Sequence, residues 1–263
     1  MADTKDSPSY TLYVYATRYS GWGARVSLIL AYFAIPHTLQ TYSLSRPPPL
    51  HLSPSGLLPI LQPDPSDPDF LIADSLAISE YLAERHPALG LWPADAKLRA
   101  RARAAAAQMH AGFGALRDTY HSSYVARYTG AVPVSDAAAR ESRQLVELWS
   151  AARAGTRERL RELGEEDGGF LFGGFSIADA FFWPVLWRFR SYGLPMTGIS
   201  EDGLRWVAKM WEHPVMKAQG REYFRQAREP WTRAEKYEDI FRGNPDVEYS
   251  QFTEDWTFDA SKV

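Results

Sequence analysis

The pattern of the sequence changes near Leu98, and this change most constrains the fold. Before it, segments typical of strands and of helices alternate. After it, alanine, leucine and arginine dominate long stretches with helical periodicity, and no strand pattern is found. The segment HPALGLWPAD at 86–95 lies between the two parts and reads as a linker. We predict an α+β chain with a small α/β domain over residues 1–86, a linker over 87–97 and an all-helical domain over 98–228.

The first part of the chain has the order strand, helix, strand, hairpin, helix. A strand pair joined through a helix needs a crossover connection, so the first two strands should be parallel. The hairpin is closed by the turn cluster PDPSDP and should be antiparallel. The predicted strands cover residues 10–17, 37–44, 58–63 and 69–74, and the predicted helices cover 23–35 and 75–86.

Residues 229–263 differ from both parts. They hold nine acidic and four basic residues, with scattered aromatic residues and no clear periodicity. We expect this C-terminal extension to wrap the surface rather than to form a domain.

Composition excludes several classes of function. The formal net charge of −3 and the pI near 6.1 give no reason to expect a nucleic-acid or anionic-membrane partner. The polar, acidic start is unlike a signal peptide, and no apolar run approaches the ~20 residues that cross a bilayer, so we expect a cytoplasmic protein. The six histidines lack metal-ligand spacing, so no metal is expected. With no cysteine in the chain, any thiol chemistry must use a small-molecule thiol.

A serine stands where the first strand gives way to the first helix, in the stretch RYSGWGARVSL at 18–28. Ser20 is placed to cap this helix, which is the common role of a serine there. The alternative is that its hydroxyl points at a bound ligand. The local sequence leaves both readings open.

Two further segments could carry chemistry. Pro59 stands at the start of the third strand, where proline is ordinarily an edge residue; a cis bond there would instead expose the main chain of Leu58 to a ligand. Asp74 and Ser75 open the helix at 75–86. Both can cap it, but a helix N-terminus also attracts a carboxylate, and a neighbouring acid can meet an ammonium group. An amino-acid head group would satisfy both demands.

Together these segments resemble the glutathione transferase family over about residues 10–228. YSGWGARVSLILAYFAI resembles the catalytic segment of serine-type members close to the zeta class, and GLWPADAKLRARARAAAAQMHAGFGALR resembles the start of the helical domain in a bacterial and fungal subgroup. SPSGLLPIL, DSLAISEYLAER and GGFSIADA resemble three further family motifs in the family's order. The resemblance implies a thioredoxin-like domain followed by a helical bundle, and a homodimer.

The resemblance also implies a glutathione site. Ser20 would donate a hydrogen bond to the glutathione sulfur. The main chain of Leu58, with Pro59 cis, would pair with the cysteinyl part, and Asp74 and Ser75 would hold the γ-glutamyl group. The chain departs from the family at Gly21 and Gly23, where a second serine is common, and at Leu57, where a basic or amide residue is common. The candidates to hold the glycyl carboxylate in its place are Arg18 and His51.

The second substrate is expected between the domains, against a helix at 98–128. Trp22 and five residues of that helix are the candidate contacts: Met109, His110, Phe113, Arg117 and Tyr120. The alternative places Met109 and Phe113 in the core of the bundle; His110 and Arg117 are harder to explain as core residues.

Three functions follow from the resemblance. The first is a transferase that adds the glutathione thiolate to a hydrophobic electrophile. The second is a cis–trans isomerase in which glutathione adds to an activated double bond and leaves again. The third is a module that binds glutathione without catalysis. If the C-terminal extension, with its aromatic residues, covers the space between the domains, it favours one bulky substrate, as in secondary metabolism, over general detoxification.

Overall fold

A computed structural model describes residues 10–262 of the chain. The first nine residues of the predicted domain 1–86, on which the expectation of no signal peptide rests, lie outside the described residues. The numbering of strands and helices below follows the chain. Within residues 10–262, no helix is at once long enough and apolar enough to span a bilayer.

A four-stranded mixed sheet forms the first part of the described chain. Its strands are β1 (Tyr10–Tyr15), β2 (His37–Tyr42), β3 (Ile60–Gln62) and β4 (Ile72–Ala73), in the spatial order β2-β1-β3-β4. β1 pairs with β2 in parallel and with β3 antiparallel, and β3 pairs with β4 antiparallel, as the sequence predicts. The helices of this part are α1 (Gly21–Tyr32) and α2 (Ser75–Arg85). This is the thioredoxin-like arrangement that the resemblance implies.

The two hairpin strands are shorter than predicted. β3 begins only at Ile60, because Pro59 has no N–H to give to the sheet. Residues 69–71 belong to the turn rather than to β4, since the N–H of Phe70 and the N–H of Leu71 donate back to the carbonyls of Asp67 and Asp69. The sheet edge is therefore short, and the loops around it are long.

Helices dominate the rest of the chain. They are α3 (Ala96–Ala111), α4 (Gly114–Thr119), α5 (Asp136–Leu163), α6 (Ile177–Tyr192), α7 (Glu201–Glu212), α8 (Pro214–Ala227) and the short α9 (Glu235–Glu238). α6 is almost wholly buried and contacts both α1 and α3. Its apolar side chains belong to one core cluster with those of β1 and α1, so a continuous core joins the sheet to the bundle.

The prediction of an uninterrupted helix at 98–128 is wrong. α3 ends at Ala111, and Phe113 takes a left-handed backbone conformation with φ of 55° before α4 begins. A β-carbon on Gly112 would lie 2.7 Å from the carbonyl oxygen of Gln108, so glycine allows the chain to turn here. The break turns the following residues away from the axis of α3.

The prediction that strands are confined to the first part is also wrong. β5 (Ala126–Gly130) pairs antiparallel with β6 (Val247–Gln251) of the C-terminal extension, with Tyr128 opposite Tyr249. Neither strand has another strand as a partner within the described residues. The pairing is therefore visible only when segments about 120 residues apart in the sequence meet.

The C-terminal extension packs along the helices. Trp256 lies edge-on to Trp211 of α7 and, like Phe252, covers the guanidinium of Arg190 on α6. Glu238 of α9 reaches the loop before α1, where it pairs with Arg18. The extension thus touches both the bundle and the turn that holds Ser20.

Candidate active site

Ser20 is the N-terminal cap residue of α1 by position, but its side chain makes no capping hydrogen bond. Its main-chain oxygen accepts the N–H of Ala24, the first bond of the helix. The residue is 6% exposed, and its hydroxyl has no hydrogen-bond partner among residues 10–262. The hydroxyl is thus held at a helix N-terminus with its donor and acceptor both free.

The two glycines that follow Ser20 stand where α1 is tightly packed. A β-carbon on Gly21 would lie 3.1 Å from the Tyr124 hydroxyl and 3.1 Å from Pro184, and one on Gly23 would lie 2.9 Å from Val14. A serine at either position would require its neighbours to move. Packing therefore explains why this chain lacks the additional serines of the resembled segment, so Ser20 is the serine that this segment offers to a ligand.

The Leu58–Pro59 peptide bond is cis. Leu58 is buried, and within the described chain neither its N–H nor its C=O makes a hydrogen bond. The loop before it is held by the Ser53 hydroxyl, which donates to the carbonyl of Leu57 at 2.8 Å. A strand-like ligand could pair with the free main chain of Leu58.

Asp74 and Ser75 differ in how far the protein already uses them. Asp74 caps α2, because its Oδ1 accepts the N–H groups of Leu76 and Ala77 at 2.8 and 3.2 Å, while its Oδ2 lies 3.2 Å from Nε2 of His110. Its φ of 81° is strained for a residue with a side chain, a feature common at functional sites. The hydroxyl of Ser75, in contrast, is enclosed and has no partner among the described residues.

Three cationic or titratable side chains surround Trp22, and we call these four residues the Trp22 cluster. The guanidinium carbons of Arg25 and Arg117 lie 4.5 and 5.2 Å from the indole centroid, and the ring of His110 lies edge-on at 5.4 Å. Burial lowers the pKa of His110, and Arg25 and Arg117 lower it further against the opposing effect of Asp74. The structure thus brings Trp22, His110 and Arg117 together between α1 and the α3–α4 turn.

Three predicted substrate contacts lie elsewhere. Met109, Phe113 and Tyr120 are buried in the core, and the Tyr120 hydroxyl donates to the carbonyl of Pro133. The core alternative is therefore correct for Met109 and Phe113. The break at Gly112 separates the faces of α3 and α4, so residues spaced for one helix do not share one face.

Arg18 is also corrected as a candidate for the glycyl carboxylate. It is 1% exposed, and its Nη2 lies 2.7 Å from Oε1 of Glu238, which also accepts the Tyr19 hydroxyl at 2.5 Å. The Nη2 of Arg18 is committed to this carboxylate and its Nε and Nη1 are fully enclosed, so no guanidinium nitrogen of Arg18 is available to a ligand. His51 lies exposed in the long loop before β3, so it stays a prediction.

Sequence reasoning did not assign two residues, Glu238 and Arg25, to the site, although Arg25 belongs to the segment that resembles the zeta class. Glu238 comes from the extension, and no local signal connects it with residues 18–19. Arg25 did carry a signal, because a lone charge in the apolar run RVSLILAYFAI marks either a buried pair or a site. For metal binding, no cluster of three or more suitable side chains occurs in the part of the chain that the structure describes.

Comparisons with known proteins give a consistent result. The sequence model described as glutathione S-transferase, N-terminal domain, matches residues 14–90, and that of the C-terminal domain matches 99–214. A glutathione transferase homologue from Burkholderia GL BGR1, solved with bound glutathione, is 26% identical, with a TM-score of 0.57 over 82% of this chain and 99% of that one.

Two more distant structures share the fold. Ure2p, a yeast prion protein solved in complex with glutathione, is 20% identical, with a TM-score of 0.59 over 82% of this chain and 95% of that one. A maleylacetoacetate isomerase from Anaeromyxobacter dehalogenans is 23% identical, with a TM-score of 0.54 over 80% of this chain and 90% of that one. No curated relative matches the sequence.

Proposed function

Because the chain belongs to the glutathione S-transferase superfamily, we propose that it is a glutathione-dependent enzyme in which Ser20 stabilises the glutathione thiolate. One observation carries the proposal: the hydroxyl of Ser20 stands at the N-terminus of α1 and makes neither a capping bond nor any other hydrogen bond to residues 10–262. A hydroxyl that capped the helix would be committed to its main chain. This one is free to donate to a ligand.

The energetics of thiol activation match this arrangement. A free thiol of this kind has a pKa near 8.5, and lowering it by ~2 units takes about 2.7 kcal/mol of preferential stabilisation of the thiolate. A hydrogen bond to a charged group supplies roughly 1.5–3 kcal/mol, and a helix N-terminus adds about 0.3–1 kcal/mol. One serine and the end of α1 together reach the required value. The thiolate, not the serine, is the nucleophile.

The rest of the glutathione site is assigned to the unpaired groups of Leu58 and Ser75 and to Asp74, whose carboxylate already caps α2. The free N–H and C=O of Leu58 pair with the cysteinyl unit in the manner of a neighbouring strand. The hydroxyl of Ser75 and the N-terminus of α2 receive the α-carboxylate of the γ-glutamyl group, and Asp74 faces its ammonium. His51 is the remaining candidate for the glycyl carboxylate.

The reaction we favour is transfer of glutathione to an electrophile bound beside the Trp22 cluster. Isomerisation is the second candidate, supported by the combination of Ser20, Trp22 and Arg25, which resembles the zeta class, and by the likeness to the structure of a maleylacetoacetate isomerase. Loss of glutathione during turnover separates the two, because transfer consumes one glutathione per product and isomerisation consumes none. We further propose a cytoplasmic homodimer, to be checked by sedimentation and by fractionation of cells.

The test is an ultraviolet difference titration of bound glutathione from acid to alkaline pH. We expect thiolate absorbance well below pH 8 in the wild type and a shift upward by about 1–2 pH units in Ser20→Ala, since one charge-assisted hydrogen bond is lost. Ser27→Ala is the matched control, because Ser27 is a buried serine of the same helix whose hydroxyl also lacks a partner among the described residues. If glutathione binds to the wild type but its thiol stays protonated, the proposal of an enzyme is wrong and the protein is a module that binds glutathione without catalysis.

A further inference from the structure

Arg25 is a buried cation for which the protein supplies no counter-ion. Its side chain lies between the rings of Trp22 and Phe181, at 4.5 and 4.6 Å from their centroids, and the residue is 3% exposed. Its Nε and Nη1 are fully enclosed, and its guanidinium donates no hydrogen bond within residues 10–262. A guanidinium can donate five hydrogen bonds, so this one is unsatisfied to an unusual degree.

The charges around Arg25 do not balance it. Arg188 lies near but spends its donors on the carbonyls of Tyr120 and Pro184 and on the Ser122 hydroxyl. Burial, with a contribution from Arg188, lowers the pKa of Arg25 to about 9. The carboxylate that acts on Arg25 most directly is that of Asp74, which is already committed to α2 and to His110.

A buried charge without a partner costs several kcal/mol, so it persists where a ligand or a function compensates for it. Cation–π contacts with two rings offset part of this cost, but they leave every N–H of the guanidinium without an acceptor. The missing partner is therefore an acceptor, and an anionic one matches the charge. The Nη2 of Arg25 is the guanidinium nitrogen that is not fully enclosed, and a charge-assisted hydrogen bond from it to a carboxylate is stronger than a bond between neutral groups.

Arg25 lies in the helix that begins after Ser20, within its first two turns. Arg25 lies just over one turn beyond Ser20 in α1, and helical side chains lean toward the N-terminus of their helix. The guanidinium accordingly contacts Trp22 in the first turn, and Trp22 is half-buried beside the partly exposed His110 and Arg117. Arg25 is thus the most buried member of the Trp22 cluster, and the other three members are partly exposed.

We propose that the second substrate carries a carboxylate and that Arg25 receives it. The inference rests on the proposed function and narrows it, since the expected electrophile is no longer purely hydrophobic. Trp22 supplies an apolar surface for the substrate, and Arg117 adds a second positive charge beside the same indole ring. Arg25 acts as a specificity-determining residue that orients the electrophile toward the thiolate.

The experiment compares pairs of ligands in which a neutral carbamoyl group of similar size replaces a carboxylate. The first pair is S-(4-carboxybenzyl)glutathione and S-(4-carbamoylbenzyl)glutathione, and the second pair is their 3-substituted isomers. Their affinities are measured by calorimetry for the wild type, Arg25→Met and Arg25→Lys. We expect the wild type to prefer the carboxylate by about tenfold or more, Arg25→Met to lose this preference with little change for the carbamoyl ligand, and Arg25→Lys to keep part of it. Arg103→Met is the matched control, because Arg103 also lies over a tryptophan but is exposed on α3.

Three results would overturn the inference. Equal affinity of the wild type for both members of each pair would do so without any variant, even if Arg25→Met fails to fold. An equal loss of affinity of Arg25→Met for glutathione and for every conjugate would assign Arg25 to a carboxylate of glutathione itself. If Arg25→Met retains the preference, the carboxylate contacts Arg117 and not Arg25.

The proposed function can fail separately. Conjugate binding does not require a thiolate, so a carboxylate preference that persists in Ser20→Ala is expected. If the wild type shows this preference but never forms thiolate, the proposed catalytic function is wrong and the proposed carboxylate site at Arg25 is retained.

Discussion

At the scale of single residues, the hydroxyl of Ser20 differs from that of a serine that caps its helix. Ser20 and Ser135 both stand at N-cap positions, but only the side chain of Ser135 accepts a main-chain N–H, that of Ala138 at 3.1 Å. A capping bond contributes typically about 1 kcal/mol to stability. Two serines at equivalent positions of two helices therefore differ in what their loss should do.

We expect Ser20→Ala to change the free energy of unfolding by less than about 0.5 kcal/mol and Ser135→Ala to lower it by about 1 kcal/mol. Urea unfolding followed by tryptophan fluorescence measures both values. A loss for Ser20→Ala as large as that for Ser135→Ala would show that Ser20 serves the helix after all.

At the scale of elements, α6 depends on one buried carboxylate. Asp179 accepts the N–H of Ser176, the Ser176 hydroxyl, the N–H of Leu171 and the indole N–H of Trp206, all at 2.9–3.1 Å. The side chain thus completes a capping box and ties α6 to α7 and to the preceding loop. Because α6 contacts α1, the position of Ser20 depends indirectly on this cap.

Asp179→Ala leaves at least two main-chain N–H groups and one indole N–H buried without acceptors. Each such group costs about 1–3 kcal/mol, so we expect a total loss of at least about 3 kcal/mol in the free energy of unfolding. Ser176→Ala removes one donor and leaves the carboxylate in place, so its loss should stay near 1 kcal/mol. Similar losses in the two variants, measured by chemical unfolding, would contradict the assignment.

The elements also show what the sequence could predict. β1, α1, β2, the hairpin and α2 follow from local periodicity and turn residues. The resemblance implies that Ser20, Leu58 and Ser75 belong to a glutathione site. The β5–β6 pair and the Arg18–Glu238 contact could not be predicted, because each joins residues more than 100 positions apart. The break at Phe113 and the orphaned Arg25 depend on how α3, α4 and α6 pack around them, which helical periodicity does not contain.

At the scale of the whole molecule, the C-terminal extension is joined to the loop between β1 and α1. Glu238 accepts Arg18 and the Tyr19 hydroxyl in an enclosed site two residues before Ser20, and burial together with Glu238 raises the pKa of Tyr19 well above its ordinary value. Burial of Glu238 is outweighed by Arg18 and Tyr19, so its pKa is lowered. A depressed carboxyl pKa stabilises the fold above the ordinary range, and that contribution is lost as the pH falls through the lowered value.

We therefore expect Glu238→Gln to cost about 3 kcal/mol at pH 7, because it leaves the Arg18 cation buried without its counter-charge. The double variant Arg18→Met/Glu238→Gln should cost less than Glu238→Gln alone, since removing both charges removes the stranded cation. Glu201→Gln, which breaks the exposed pair of Glu201 with Arg205, is the control and should cost under about 0.5 kcal/mol. Urea unfolding at pH 7 and at pH 3 completes the cycle, because the penalty of Glu238→Gln should shrink as the pH falls through the lowered pKa of the wild-type carboxyl. Two results would contradict the prediction: a penalty of Glu238→Gln that is equal at both pH values, or a double variant whose loss equals the sum of the losses of the two single variants. Either would mean that the extension is held by its aromatic contacts and not by this ion pair.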